Sequence, residues 1–311
     1  MTHELRRLVE TSLILEADAE QRLAAISESV LSSSPYLDRP DFTAISDDDL
    51  AHLFEQYDQR FFAGACRRTL QAMGSPLDFR VSPRMTRAGG KTTRLLPRVA
   101  RGLSPVPRFE IAVSSTLLFQ TFADIDRPIK VTGLLCHNRL EALQRIFEHE
   151  LMHLVEMLLW QASCCAAPRF KDMVSRFFGH TESNHQLITP DERAREKFGI
   201  RAGDRVQFTL DGLPYTGVVN RVTKRATILV EDPRGPRYSD GKRYAKFYIP
   251  VGMLERGYGG YSAAPPSVTL ILYFVCKCAW AWAAWPSLGN FLQTVWYALI
   301  AASLSPDASR T

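Results

Sequence analysis

The stretch that decides the fold is residues 139–160, which read RLEALQRIFEHELMHLVEMLLW. Four apolar side chains in it recur at the spacing of one helix face, namely Leu143, Phe147, Leu151 and Leu154. Asn138 precedes the stretch as a helix N-cap, and Glu141 stands at the reciprocal position of a capping box. We therefore expect a long helix from Arg139 to about Trp160.

This helix contains the pattern HExxH, formed by His149, Glu150 and His153. Histidines four residues apart lie one turn apart on the same face, so both imidazoles can reach one tetrahedral zinc ion. Glu150 lies about 100° round the helix from His149, where a carboxylate can hold water beside the metal without being a ligand. The pattern predicts His149 and His153 as zinc ligands and Glu150 as the catalytic acid/base.

The lengths of the two helices after His153 indicate a candidate for the third zinc ligand. A further helix is expected from Pro168 to Phe178, with Gly179 as its stop. The chain travels roughly 12 Å beyond His153 and about 15 Å back along this second helix, at about 1.5 Å per residue. His180 should then return to the level of the histidine pair. His185 is the alternative ligand, and otherwise a group that binds the oxyanion or orients substrate.

The six cysteines are too few and too clustered for a disulfide framework in a chain of 311 residues. On the length argument, Cys164 and Cys165 lie at the far end of the helical hairpin, so we expect them to have a buried structural role. Glu156 is expected to support the site indirectly or to be solvated. The N-terminus carries acidic residues where a signal peptide needs an apolar core, so we expect a cytoplasmic protein. Association with the nucleoid is a further possibility within that location.

Outside this helical hairpin, the pattern indicates an α+β protein. Residues 1–32 have the spacing of an amphipathic helix, and Ser46 with Asp49 forms a capping box that opens another helix. Two strands are expected, Leu77–Ser82 and Arg108–Ser114, joined by a connection rich in Gly and Arg. Hydrophobic residues make up 46% and charged residues 23% of the chain, which excludes collagen-like, coiled-coil and wholly disordered proteins.

From Gly203 the hydrophobic period changes to that of strands. Four short strands are expected, at Asp204–Thr209, Tyr215–Val222, Arg225–Glu231 and Arg243–Ile249. They predict a small SH3-like antiparallel β module. The expected domains are an N-terminal helical segment (1–45), a domain that contains the HExxH pattern (46–190), the β module (196–256) and a hydrophobic C-terminal tail (257–311).

Charge is distributed unevenly. Residues 1–50 contain eleven acidic and four basic side chains, whereas residues 196–256 contain twelve basic and seven acidic ones. Basic residues interleaved with tyrosines are typical of surfaces that bind DNA or RNA. The candidate contacts are Arg221, Lys224, Arg225, Arg243 and Lys246. The alternative interpretation is the solvated face of a packing domain.

The tail contains two apolar stretches, Val268–Trp285 and Leu288–Ser303, separated by Pro286. Each is slightly short of the 20 or so residues that span a bilayer, and Lys277 interrupts the first. Residues 268–303 thus indicate either a membrane hairpin or tail anchor, which would tether the protein, or a helical hairpin on the body of the protein, or a poorly ordered appendage.

Four segments resemble the SprT-like zinc metallopeptidase family, to which the DNA–protein crosslink protease Spartan belongs. They are residues 53–62 (LFEQYDQRFF), 84–92 (RMTRAGGKT), 109–111 (FEI) and 147–153 (FEHELMH). The resemblance implies a zincin fold with His149 and His153 as ligands and Glu150 as the catalytic group. It also implies that the protein cleaves other proteins, often near DNA. Tyr57, which lies in the first of these segments, and His185 are the candidates for contact with the substrate or the transition state.

The chain departs from the family in two places. The better-known members have their third histidine just before the second helix, where this chain reads CCAAPRF at residues 164–170. The usual C-terminal Cys₄ zinc ribbon is also absent from the sequence, and the basic β module stands in its place.

Together these features predict a zinc-dependent endopeptidase that cleaves protein substrates, with DNA-associated proteins or crosslinks as the candidates. Its mechanism would be Glu150-assisted attack of a zinc-activated water. The alternative is a nucleic-acid-associated binding protein whose zinc is structural and which has no peptidase activity.

Overall fold

The structure is a computed structural model that describes residues 2–98 and 105–257. The helices in these residues are α1 (Thr2–Thr11), α2 (Glu16–Ser33), α3 (Asp47–Phe62), α4 (Ala65–Ala72), α5 (Ser115–Thr121), α6 (Arg139–Trp160), α7 (Pro168–Phe178) and α8 (Pro190–Phe198). The strands are β1 (Leu77–Ser82), β2 (Gly90–Leu95), β3 (Arg108–Ser114), β4 (Ile129–Val131), β5 (Leu134–Cys136), β6 (Arg205–Leu210), β7 (Leu213–Val222), β8 (Ala226–Glu231), β9 (Tyr244–Ile249) and β10 (Glu255–Arg256). The expected α+β class is confirmed.

Helix α6 is the centre of the first part of the molecule. Asn138 caps it by accepting a hydrogen bond from the backbone N–H of Glu141, as the sequence indicates. Its apolar stripe is fully buried, and the ring of Phe147 lies 5.7 Å from that of Tyr57 on α3. Burial of each such side chain contributes roughly 1.5–3 kcal/mol. Packing on several sides therefore fixes the rotation of α6, and with it the direction in which the HExxH residues point.

The expected N-terminal helix is divided into α1 and α2. Arg176 on α7 donates hydrogen bonds to the carbonyl oxygens of Val9 and Ser12, and the N–H of Ile14 donates to the carbonyl of Arg176. These contacts satisfy the end of α1 from another helix, so the chain need not continue the helical ladder through residues 12–15.

A three-stranded sheet has the order β1-β3-β2, with β1 parallel and β2 antiparallel to β3. The predicted strands β1 and β3 are confirmed with their bounds. Strand β2 lies in the stretch that we expected to be an irregular connection. It is the edge of this sheet, and Thr92 on it contacts Glu150 of α6.

Beyond α8 the chain forms a five-stranded sheet with the order β10-β6-β7-β8-β9. The four strands predicted here are present within about two residues of the expected bounds, and the short β10 is additional. Of the described residues, those within 2–208 and 216–257 belong to one compact unit, and Thr209–Tyr215 belong to a second. This second stretch contains the turn residues Asp211 and Gly212, whose φ angles of 53° and 78° are both positive.

In the part of the chain that the structure describes, no helix is both long enough and apolar enough to cross a bilayer. The two apolar stretches expected at residues 268–303 lie outside the described residues.

Candidate metal centre

His149 and His153 point at a common position from one face of α6. Their Nε2 atoms are 3.1 Å apart, and Phe170 on α7 packs against both rings, with centroid distances of 5.0 and 4.4 Å. Two nitrogens bound about 2.0–2.1 Å from one tetrahedral ion would be roughly 3.3 Å apart. The observed separation therefore fits a pair of ligands on one metal.

The second imidazole nitrogen of His153 is held by a hydrogen-bonded relay. His153 Nδ1 lies 2.6 Å from Ser163 Oγ, and this hydroxyl donates to Glu156 Oε2 at 2.6 Å. Because the hydroxyl hydrogen is used toward Glu156, Ser163 accepts from an Nδ1–H of His153. The Nε2 lone pair is then free for a metal.

Glu156 supports this relay from a fully buried position. Its carboxylate also accepts from Arg169 Nε at 2.8 Å and from the backbone N–H of Cys164 at 3.1 Å. The cation and the two hydrogen bonds compensate for removing the carboxylate from water. The expectation of a solvated Glu156 is wrong, because the side chain is fully buried, and it contacts the Ser163 hydroxyl that lies beside His153.

Cys165 supplies the third donor atom of the group. One ligand atom each of His149, His153 and Cys165 all lie within 4.8 Å of one another, so the group could hold a metal ion. We expected Cys165 at the far end of the hairpin, and that expectation was wrong. Gln161, at φ 58°, turns the chain back over the last turns of α6, so residues 163–165 lie beside the histidines.

The expected third ligand, His180, lies elsewhere. Its Nε2 is 2.8 Å from Glu148 Oε2, and both side chains are fully buried. Helix α7 does return the chain to the level of the HExxH residues, but it presents His180 on the side of Glu148, one residue before His149. His180 is accordingly not a member of the three-residue group that could hold a metal.

Tyr57 belongs to the same buried network as His180. Its hydroxyl donates to Glu148 Oε1 at 2.8 Å, and Arg145 contacts both oxygens of that carboxylate at 3.2 and 3.1 Å. Burial raises the pKa of Glu148, but Arg145 and the hydrogen bonds from His180 and Tyr57 outweigh it and lower that pKa overall. Since Tyr57 is completely buried, the structure gives it a supporting place in the core and no surface that a substrate could touch.

Glu150 directly follows His149 on α6, and its side chain lies against strand β2. Thr92 Oγ1 is 2.8 Å from both the Glu150 carboxylate and its backbone carbonyl oxygen. A Cβ atom on Gly90 would approach the Glu150 carboxylate to 2.7 Å, so only glycine leaves the carboxylate its present position. Burial raises the pKa of Glu150 to about 7, and the Thr92 hydrogen bonds oppose the rise. A carboxyl with this pKa can both take up and release a proton near neutral pH.

His185 is the fourth imidazole of the region. Its ring centroid is 5.0 Å from that of His149, and its backbone is held by a β-bridge to Val131. Among the described residues its buried Nε2 has no hydrogen-bond partner. Burial lowers the pKa of His185 to about 4 and that of His149 to about 2, so both rings are neutral, which is the form that binds metals or donates one hydrogen bond.

The predicted nucleic-acid contacts lie on the five-stranded sheet. Arg221, Lys224 and Arg225 are exposed at the β7–β8 turn, and Lys246 is exposed on β9. Arg243 is different, because its guanidinium donates to the carbonyl oxygen of Gly235 at 2.9 Å and so braces the loop before β9. All five candidates lie in this module, and Arg243 in addition makes a structural contact.

Comparison with known proteins gives no relative: no family model, no curated protein and no solved structure matches this chain significantly.

Proposed function

We propose that the protein is a zinc-dependent endopeptidase. The single observation that carries the proposal is that a buried carboxylate, Glu150, directly follows His149 of the donor group on α6 and is held in place by Thr92 of strand β2. Two neutral imidazoles and a cysteine sulfur are a donor set that suits zinc. A purely structural zinc site needs no such carboxylate, whereas hydrolysis needs a base at this position.

The residues of the chain would divide the reaction between them. Zinc, when bound, would polarise the scissile carbonyl group and lower the pKa of the attacking water. Glu150 would take a proton from that water and deliver it to the leaving amine, because its pKa of about 7 allows both steps. Thr92 would keep the carboxylate in place through its hydrogen bond of 2.8 Å.

Two further features support a peptide as the substrate. Strand β2 is an edge of its sheet, so its outer backbone groups can pair with an extended peptide. His185, with an unpartnered Nε2 beside His149, can donate a hydrogen bond to the substrate carbonyl oxygen as charge develops on it. These features extend the proposal from metal binding to substrate binding.

The substitution Glu150→Gln tests the proposal. It keeps the size of the side chain and removes its basicity, so we expect hydrolysis of an unfolded casein substrate to fall at least about 10²-fold while zinc content, measured by mass spectrometry, stays at one per chain. Glu182→Gln is the matched control, since Glu182 is an exposed carboxylate in a nearby loop. Wild-type cleavage by Glu150→Gln would overturn the assignment.

The second candidate is a structural zinc site in a protein without peptidase activity. The observation in its favour is the 5.0 Å distance between the ring centroids of His185 and His149, although His185 is not in the group whose donor atoms lie within 4.8 Å of one another. If His185 became a fourth ligand, no coordination position would stay open. This candidate predicts that the purified protein cleaves neither casein nor itself and that His185→Ala weakens zinc binding as much as His153→Ala does. The endopeptidase proposal predicts that His185→Ala mainly reduces kcat and leaves zinc bound.

A further inference from the structure

The cross-strand register of the second sheet aligns six side chains on one face. Arg221, Thr227 and Tyr248 form one row across β7, β8 and β9, and Val218, Leu229 and Lys246 form the next. The rows are two residues apart on β8 and β9, so they share a face. On β7 the register shifts between Val219 and Arg221, and this bulge brings Val218 and Arg221 to the same face despite a spacing of three. We call these six residues the outer face.

The outer face is the side of this sheet that faces away from its apolar core. The alternate positions, among them Val219, Ile228 and Ile249, are buried. On the outer face Tyr248 is 56% exposed and Val218 is 39% exposed, whereas Thr227, between Arg221 and Tyr248, is buried. An aromatic ring therefore stands open to solvent on β9, an edge strand of this sheet.

The cations around this ring have no acidic partner. Among the described residues, no carboxylate lies within ion-pair distance of Arg221 or Lys246, or of Lys224 and Arg225 at the adjoining turn. Two other cations of the same module are neutralised, since Lys242 pairs with Glu231 and Arg256 pairs with Asp204. Lys246 instead lies over the ring of Tyr238, with its Nζ 5.5 Å from the centroid. In the described part of the chain, the outer face and the adjoining turn therefore carry four exposed cations without an ion pair, and further exposed arginines without one, Arg201, Arg205, Arg234 and Arg237, also lie in the module.

We propose that the outer face binds single-stranded nucleic acid. A base would stack on the ring of Tyr248, while Arg221 and Lys246, with the turn residues Lys224 and Arg225, would contact the phosphates on either side. A single strand fits better than a duplex, because only unpaired bases offer a free ring face to an aromatic side chain. This inference does not depend on the zinc site, and it would give the proposed peptidase access to proteins bound to nucleic acid.

The test is fluorescence anisotropy of the full chain with labelled oligothymidine and oligouridine at several salt concentrations. We expect both probes to bind, with a clear salt dependence. Replacing Tyr248 by Ala should weaken binding roughly tenfold, and Tyr248→Phe should restore it because the ring is kept. Each phosphate of a single strand that a cation neutralises contributes about 0.7 to the magnitude of the slope of log affinity against log salt concentration. The double variant Arg221→Ala/Lys246→Ala loses two such cations, so the magnitude of its slope should be smaller by about 1.4.

The matched control is Arg195→Ala, which removes an exposed arginine that is already paired with Glu196. It should bind as the wild type does. The proposal is overturned if Tyr248→Ala and the double variant bind like the control, or if the chain binds duplex DNA or anionic lipid vesicles more tightly than either single strand. The double variant changes only exposed side chains, so it still tests the proposal if Tyr248→Ala does not fold. Thermal unfolding of each variant shows whether it is folded. Loss of peptidase activity in Glu150→Gln has no bearing on this readout, so the two proposals can fail separately.

Discussion

Ser163→Ala is the most informative change around the metal centre that leaves every candidate ligand in place. The variant removes the hydroxyl that lies 2.6 Å from His153 Nδ1 and 2.6 Å from Glu156 Oε2. His153 is then without the hydrogen bond that keeps its Nε2 lone pair free for the metal. Removing such an outer hydrogen bond costs about 10–100-fold in metal affinity, or about 1.4–2.7 kcal/mol.

The structure favours the lower end of this range. Glu156 keeps Arg169 at 2.8 Å and the backbone N–H of Cys164 at 3.1 Å in the variant, so the buried carboxylate is not left without partners. We therefore expect zinc affinity to fall about tenfold, measured by competition with a chromophoric chelator at fixed pH. Ser175→Ala is the control, because Ser175 is exposed on the neighbouring helix α7. Zinc affinity unchanged in Ser163→Ala, or reduced equally in the control, would refute the relay.

Three further predictions concern the supporting residues. Gly90→Ala should reduce kcat at least about tenfold with zinc retained, because the new Cβ would lie 2.6–2.9 Å from atoms of Glu150 and displace its carboxylate; unchanged kcat would contradict this. Tyr57→Phe should lower the free energy of unfolding in urea by about 1.5–3 kcal/mol, since it removes a hydrogen bond to the buried Glu148, whereas Tyr36→Phe at an exposed position should change little. Arg193 and Lys197 lower the pKa of Asp124 to about 2, so the stability that Asp124 adds is present above its ordinary pKa of 3.8 and is lost as the pH falls toward 2. The difference in unfolding free energy between wild type and Asp124→Asn should thus shrink between pH 5 and pH 2, and a constant difference would contradict the assigned pKa.

The parts of the fold that follow from local rules could be predicted from the sequence. The bounds of α6 and α7 follow from apolar spacing, from the Asn138 cap and from Gly179, which adopts a left-handed conformation at the end of α7. Juxtaposition of His149 and His153 is equally local, since it needs only the helix itself. Strand β1 is predictable because it alternates apolar and polar residues, and β3 because it contains Phe109, Ile111, Ala112 and Val113.

Strand β2 could not be found in the same way. Its sequence GKTTRL has no alternation of apolar and polar residues. It is an edge strand, and its place in the sheet is set by pairing with β3. Thr92 and Gly90, which shape the surroundings of Glu150, were missed as a consequence. The only signal was the pair of glycines at positions 89 and 90, which marks a close approach of another chain segment.

The third donor depends on the direction of a loop and on the rotation of a helix. The left-handed conformation of Gln161 reverses the chain so that Cys165 lies beside the histidines. Glutamine at position 161 does not predict this conformation, as a glycine would. The length of α7 correctly returned His180 to the level of the site, but length carries no information about the side of the helix from which His180 projects.

X-ray absorption of the zinc-loaded protein tests the central claim most directly. We predict one zinc per chain with a single sulfur neighbour at about 2.3 Å and nitrogen or oxygen neighbours at about 2.0–2.1 Å, and we predict that the sulfur contribution disappears in Cys165→Ala. A coordination shell without sulfur, or a protein that retains no zinc after desalting, would contradict the proposed centre of His149, His153 and Cys165.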